Sequence, residues 1–196
     1  MDSCVSSSES ITFVPLAHHG AAPMGVTIRC AKLQDIQGLT EVLLQSFHPP
    51  RRWSAWFHPL LRLGIYEDLR SRLRASSPHY TCLIALRAPD EEIIGTAEIS
   101  LRGWFYPQAR TGYISNLAVS PAHRRHGVAR QLLLKCEQVA RDWNCHTLAL
   151  HVLDNNHSAK SLYDDLGYQT QGTDFQWPTG LFHWPRRLLL EKSLAV

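Results

Sequence analysis

The chain has 196 residues, 44% of them apolar, enough to bury a core and few enough that one domain is the default. With 20 basic and 17 acidic side chains it carries a net +3, without the strong positive excess of a chain built to coat nucleic acid, so a nucleic-acid partner is not expected. Its 19% charged fraction argues against global disorder, and Arg, His, Asp or Gly interrupts every apolar stretch before the roughly 20 residues that would cross a bilayer.

Residues 1–25 contain Ser6 to Ser8, His18-His19 and Gly20 to Pro23, with no Lys or Arg before Arg29. Asp2 and Glu9 oppose the early positive charge that a secretory signal or transit peptide uses, so this stretch reads as a poorly ordered tail ahead of a domain over 26–196. Val26 to Cys30 reads as a strand. Lys32 to Phe47 follows as a helix, with Leu33, Ile36, Leu39, Leu43 and Phe47 near helical period, stopped by Pro49-Pro50. After the aromatic and basic segment Arg51 to His58, a second helix is expected from about Leu60 to Ala75 on the stripe Leu61, Ile65, Leu69 and Leu73. Tyr80 to Arg87 and Glu92 to Leu101 read as a strand pair joined by Ala88-Pro89-Asp90-Glu91. In the second of these, Glu98 falls in an alternating series with Ile94, Thr96 and Ser100, which assigns it to a solvent-facing side.

Gly112 to Ser120 reads as a further strand, leading into Pro121. From Val128 the residues Leu132, Leu133, Cys136, Val139, Ala140 and Trp143 form the clearest apolar stripe in the chain. His146 to Val152 reads as a buried strand, and Asp154-Asn155-Asn156 as a turn that caps a helix bearing Ala159, Leu162, Tyr163 and Leu166. Gly167 is expected to stop that helix in the left-handed region. Tyr168 to Gly172 and Arg186 to Leu190 read as the last strands, flanking a loop with Trp177 and Trp184.

Cys4, Cys30, Cys82, Cys136 and Cys145 are odd in number, widely spaced and without a CxxC pair, which fits reduced thiols in a compartment such as the cytoplasm. The 11 histidines match no zinc-ligand spacing, and no metal is expected. The corner between Val119 and Val128 carries the chemistry. A strand, a turn bearing Arg124 and Arg125, and Gly127 at a helix start place free backbone N–H groups and positive charge together, a combination that receives an anionic phosphate. Neither GxxxxGK[ST] nor GxGxxG is present, which excludes the mononucleotide and dinucleotide loops.

The run Leu117-Ala118-Val119, Pro121, Arg124-Arg125-His126-Gly127-Val128-Ala129 resembles the acyl-CoA-binding motif of the Gcn5-related N-acetyltransferases (GNAT), with Ala129 where a second glycine is commoner. A second motif of that family is matched by Asn156, Ala159, Tyr163, Gly167 and Tyr168, and Tyr113 to Val119 resembles the protein-acetylating members, of the ribosomal-protein and plastid or cyanobacterial types. The resemblance implies an α/β fold with a mixed, mostly antiparallel sheet of about seven strands flanked by about four helices. It implies acetyl-CoA as cosubstrate, its pantetheine paired with the backbone of Leu117, Ala118 and Val119. The pyrophosphate would lie on Arg124, Arg125, His126, Gly127, Val128, Ala129 and Arg130, and Asn156 would reach the cofactor's arm.

In the implied reaction an amine attacks the thioester directly, the Leu117 backbone N–H meets the oxyanion, and Tyr163 protonates the departing thiolate. Glu98 is the nearest strand candidate for a base. A protein or peptide acceptor is expected, at its N-terminal α-amino group and secondarily at lysine, because an α-amino group is substantially neutral near pH 7.7–8.0. The alternatives are a small amine such as a polyamine or drug, or a catalytically silent CoA-binding or nucleic-acid-binding module using the arginines of 51–74. The plastid type also makes the stroma an alternative to the cytoplasm. Trp53, Trp56, Trp177 and Trp184 are candidates for an acceptor groove or for loop packing.

Overall fold

The computed structural model describes residues 11–13, 25–47, 58–75, 77–102, 110–173 and 186–194. Its strands are β1 (Ile11–Phe13), β2 (Val26–Cys30), β3 (Tyr80–Arg87), β4 (Glu92–Arg102), β5 (Thr111–Val119), β6 (Thr147–Leu153), β7 (Gln169–Thr173) and β8 (Arg187–Ser193). Its α-helices are α1 (Ile36–Phe47), α2 (His58–Arg74), α3 (Val128–Asp142) and α4 (His157–Asp165). The strands hydrogen-bond in the order β1-β2-β3-β4-β5-β6-β8-β7. The β5–β6 pair is parallel, while β1–β2, β2–β3, β6–β8 and β7–β8 are antiparallel, which makes the sheet mixed. Among the described residues seven strands lie from Val26 onward, as expected; β1 is an eighth, inside the stretch read as a tail, and pairs Ile11↔Ile28 through Phe13↔Val26.

Packing divides the chain into two compact units, Met1–Glu98 with Asn116–Cys136, and Ile99–Ser115 with Glu137–Val196. In the first, Ile36, Leu39, Val42 and Leu43 of α1 meet Leu69 of α2, Cys82, Ile84 and Leu86 of β3, and Ala118 of β5. The α1 start is fixed by Asp35, whose carboxylate accepts from Arg29 Nη1 at 2.7 Å, Arg29 Nη2 at 3.0 Å and the Lys32 N–H at 2.7 Å. Burial alone would raise this carboxyl's pKa, and those donors hold it below the usual value instead. Gly95 lets α3 settle on β4: an added Cβ would stand 3.2 Å from both Leu132 Cδ1 and Val128 Cγ1. Val128, Leu132, Leu133 and Cys136 of the α3 stripe are buried.

The second unit is built on Ile114, Leu148, Leu150, Leu190 and Leu194, with Ala140 and Trp143 from the end of α3. Gly112 allows this packing, since a Cβ there would come within 2.9 Å of Leu148 Cδ2. Glu137, buried on α3, accepts from Lys192 Nζ at 2.6 Å, so its charge is paired. Among the described residues Cys30, Cys82, Cys136 and Cys145 form no disulfide, and the last three are buried. Burial and the nearby Glu98 charge push the Cys82 thiol up to about 12, and burial raises that of Cys145.

Candidate active site

At the end of β5 the Ser120 N–H donates to the Ile94 carbonyl at 2.9 Å, and a tight turn, Pro121–His123, carries the chain toward α3. Arg125 (φ 68) and Gly127 (φ 78) are both left-handed, so the backbone curls immediately before the helix, a geometry that turns successive N–H groups toward one side. A Cβ built on Gly127 would meet nothing within 4 Å. Arg124, Arg125, His126, Gly127 and Arg130 are exposed, Ala129 is half-buried and Val128 is buried. The residues before the helix start are thus exposed. Their side chains are not all alike, however. Arg124 Nε donates back to the Val119 carbonyl at 3.1 Å, and Ser46 Oγ donates to the same oxygen at 3.3 Å, so Arg124 pins the corner to β5 and the Val119 carbonyl is occupied. Leu117 is half-buried, Ala118 and Val119 buried.

The α4 motif forms as its residues dictate. Asn156 caps the helix, its Oδ1 accepting from the Ala159 N–H at 3.2 Å, which leaves its amide Nδ2 for other acceptors. Gly167 (φ 84) ends it, and the Tyr168 N–H returns to the Tyr163 carbonyl at 3.0 Å. That turn sets the Tyr168 ring edge-on to Tyr163, with centroids 5.9 Å apart, while Lys192 Nζ lies 5.7 Å from the Tyr168 centroid. Tyr163 is buried, and burial pushes its phenol up to about 12.

Glu98 is not solvent-facing. It is 1% exposed, because β4 is covered on both sides: Ile94, Thr96, Ala97 and Ile99 are buried with it. Its Oε2 accepts from Arg72 Nη1 at 2.8 Å and its Oε1 from Asn116 Nδ2 at 2.9 Å. Arg72 also holds Asp68, one turn back on α2, at 2.7 Å, and the two carboxylates keep its pKa raised against the lowering effect of burial. The Tyr80 phenol is likewise raised, by burial and by the Glu98 charge. Arg72 and Asn116 are participants the sequence reading missed. A carboxylate inside the nearly continuous apolar run Ile93 to Ile99 was the available signal that a cation had to lie opposite. A second missed pair is Tyr113 Oη and His151 Nδ1, 2.7 Å apart; the register Tyr113↔Ala149 puts His151 two residues along the neighbouring strand.

Trp53, Trp56, Trp177 and Trp184 lie outside the described residues. Among the described residues no group of three His, Cys, Asp or Glu side chains is arranged to hold a metal ion, and no helix is long and apolar enough to cross a membrane.

The family model of the acetyltransferase (GNAT) family matches residues 40–168, two-thirds of the chain and both motifs. The chain belongs to the acetyltransferase (GNAT) family. Its acyl donor is accordingly acetyl-CoA. Among relatives of this acetyltransferase, the GCN5-related N-acetyltransferase 10, chloroplastic, of Arabidopsis thaliana is 27% identical over 175 residues, covering 82% of this chain and 68% of the relative. The thialysine N-epsilon-acetyltransferase of Bos taurus is 34% identical over 111 residues, 53% of this chain and 64% of that one. The chain thus spans about two-thirds of the length of each. In fold it is similar to the PaiA N-acetyltransferase of Thermoplasma acidophilum in complex with coenzyme A, with TM-score 0.67, 19% identity, and coverage of 86% of this chain and 99% of that one.

Proposed function

We propose that this acetyltransferase moves the acetyl group of acetyl-CoA to a protein or peptide amine, by preference an N-terminal α-amino group. The observation that carries the preference is the state of Glu98, whose two oxygens are committed to Arg72 and Asn116 in a buried position. To accept a proton from an ammonium it would have to give up its charged bond to Arg72 while itself buried, which is costly. An acceptor that is already neutral avoids this. An α-amino group with a pKa near 7.7–8.0 supplies a large neutral fraction at physiological pH, whereas lysine, near 10.4, supplies about one molecule per thousand.

In this reading the backbone N–H groups from Arg125 to Arg130 hold the pyrophosphate, with Arg124, Arg125 and Arg130 supplying charge from the side. The backbone of Leu117 and Ala118 and the N–H of Val119 pair with the pantetheine amides, and Asn156 Nδ2 donates to the arm. The neutral amine attacks the thioester carbonyl carbon and forms the C–N bond, while the Leu117 N–H stabilises the oxyanion. Collapse breaks the C–S bond. Tyr163 gives its hydroxyl proton to the leaving sulfur and regains one from the nitrogen, so the products are the amide and free CoA thiol.

The second reading, a small amine acceptor, is supported by the thialysine-acetylating relative. The nucleic-acid reading loses ground, because Arg72 is tied to Glu98 and Asp68, and Arg70 faces Glu67 at 3.4 Å. The chloroplastic relative favours the stroma over the cytoplasm. CoA release measured with peptides bearing a free N-terminus, with N-terminally blocked lysine peptides, and with thialysine and spermidine tests the acceptor. The expected order puts free N-termini first in kcat/KM; a lead for thialysine or spermidine overturns the protein-acceptor reading.

A further inference from the structure

Asn116 sits inside β5 and yet is left-handed, with φ 49. A non-glycine residue in that region in the middle of a strand is uncommon, and it persists only where its surroundings hold it. Such a residue also redirects the peptide that follows, as a bulge does, and the peptide that follows here carries the Leu117 N–H. Glu98 links three elements, with Asn116 on β5 bonded to it directly and Arg72 on α2 bonded to its other oxygen. The Asn116 Nδ2 donates to Glu98 Oε1 on β4, and Glu98 Oε2 accepts from Arg72 on α2. The guanidinium is oriented in turn by Asp68, which takes Arg72 Nε at 3.1 Å and Nη2 at 2.7 Å. Glu98 is buried, and both its oxygens are taken by the two donors, Asn116 and Arg72.

We propose that Asp68, Arg72, Glu98 and Asn116 form a lock that fixes the left-handed turn in β5 and so aims the Leu117 N–H. Glu98 is then a positioning residue, not the base, and α2 is connected to the reaction through it. The inference rests on the proposed oxyanion role of Leu117. With the lock released, Asn116 relaxes toward extended backbone and the Leu117 N–H turns away, so the loss falls on kcat and the KM for acetyl-CoA stays within about twofold.

Four measurements on the full chain test this with whichever amine the wild type turns over. Asn116→Ala, which keeps the strain and removes the amide, is expected to lower kcat at least about tenfold, whereas Asn116→Gly, at ease in the left-handed region, recovers part of the rate. Glu98→Gln is expected to lower kcat by the same factor from pH 7 to 9.5, because the defect is geometric. Hydrogen exchange at the Leu117 amide is expected to quicken in Glu98→Gln. A Glu98→Gln deficit that closes as pH rises makes Glu98 a base and overturns the lock, as does Asn116→Gly no faster than Asn116→Ala, or unaltered Leu117 exchange. Quickened exchange with unchanged kcat leaves the lock standing and overturns the oxyanion role of Leu117. If Glu98→Gln does not fold, the two Asn116 variants decide alone.

Discussion

Tyr163 gains its character from where it is kept. Water is excluded around it, and the phenol's pKa rises from 10 to about 12. A group whose pKa is raised holds its proton over a wider range, so the donor form is complete at neutral pH and is lost only as pH climbs through about 12. Tyr163→Phe is therefore expected to lower kcat about 100-fold with acetyl-CoA affinity nearly unchanged, and the wild-type rate is expected to show no falling limb from this group below pH 11. Stopped-time assays of CoA release across pH 6–11 check both; an unchanged rate in the variant removes Tyr163 from the chemistry. The placement of Tyr163 on α4 was readable in the sequence because a local pattern carries it: Asn156 caps, Gly167 stops and Tyr168 folds back, all within thirteen residues. Glu98 was not readable in the same way. Alternation predicts a free face only when one side of a strand meets water, and β4 has both sides covered.

At the scale of elements, the corner joining β5 to α3 owes its openness to two left-handed residues, and only one of them is glycine. Gly127→Ala adds a methyl group that meets no neighbour, so its cost to stability is limited to the backbone penalty of about 1–2 kcal/mol. The same methyl stands where a phosphate would approach the N–H groups. The expected outcome is a rise of about tenfold in the KM for acetyl-CoA with kcat less affected, read from initial rates. The helices were legible because their periodicity is internal to each segment: α1, α3 and α4 start and stop within a few residues of their expected limits. Strand order was not, since which strands pair depends on partners far away in sequence; the parallel register that brings Tyr113 to His151 joins residues 38 apart. The stripe on α2 was legible only in part. Leu69 is buried, but Leu61 is exposed, and the side of the helix that matters for the lock is its polar one.

For the molecule as a whole, binding of a large anionic cosubstrate to the folded chain alone must stabilise it by linkage. At a free acetyl-CoA concentration one hundred times Kd this amounts to about 2.7 kcal/mol, which in a chain of this size raises Tm by roughly 5–10 °C. Differential scanning fluorimetry with acetyl-CoA, with CoA and with inorganic phosphate checks this; the rise is expected with the first two and not the third. An unchanged Tm at saturating acetyl-CoA would contradict the donor-site assignment. The buried sulfurs described above bear on how such work is carried out. Cys82, Cys136 and Cys145 are shut away from water, and the first keeps its proton far into alkaline conditions. A chromogenic disulfide added to count each coenzyme molecule liberated would then draw little colour from these three, and with Cys4 and the half-buried Cys30 replaced by serine turnover could be followed continuously.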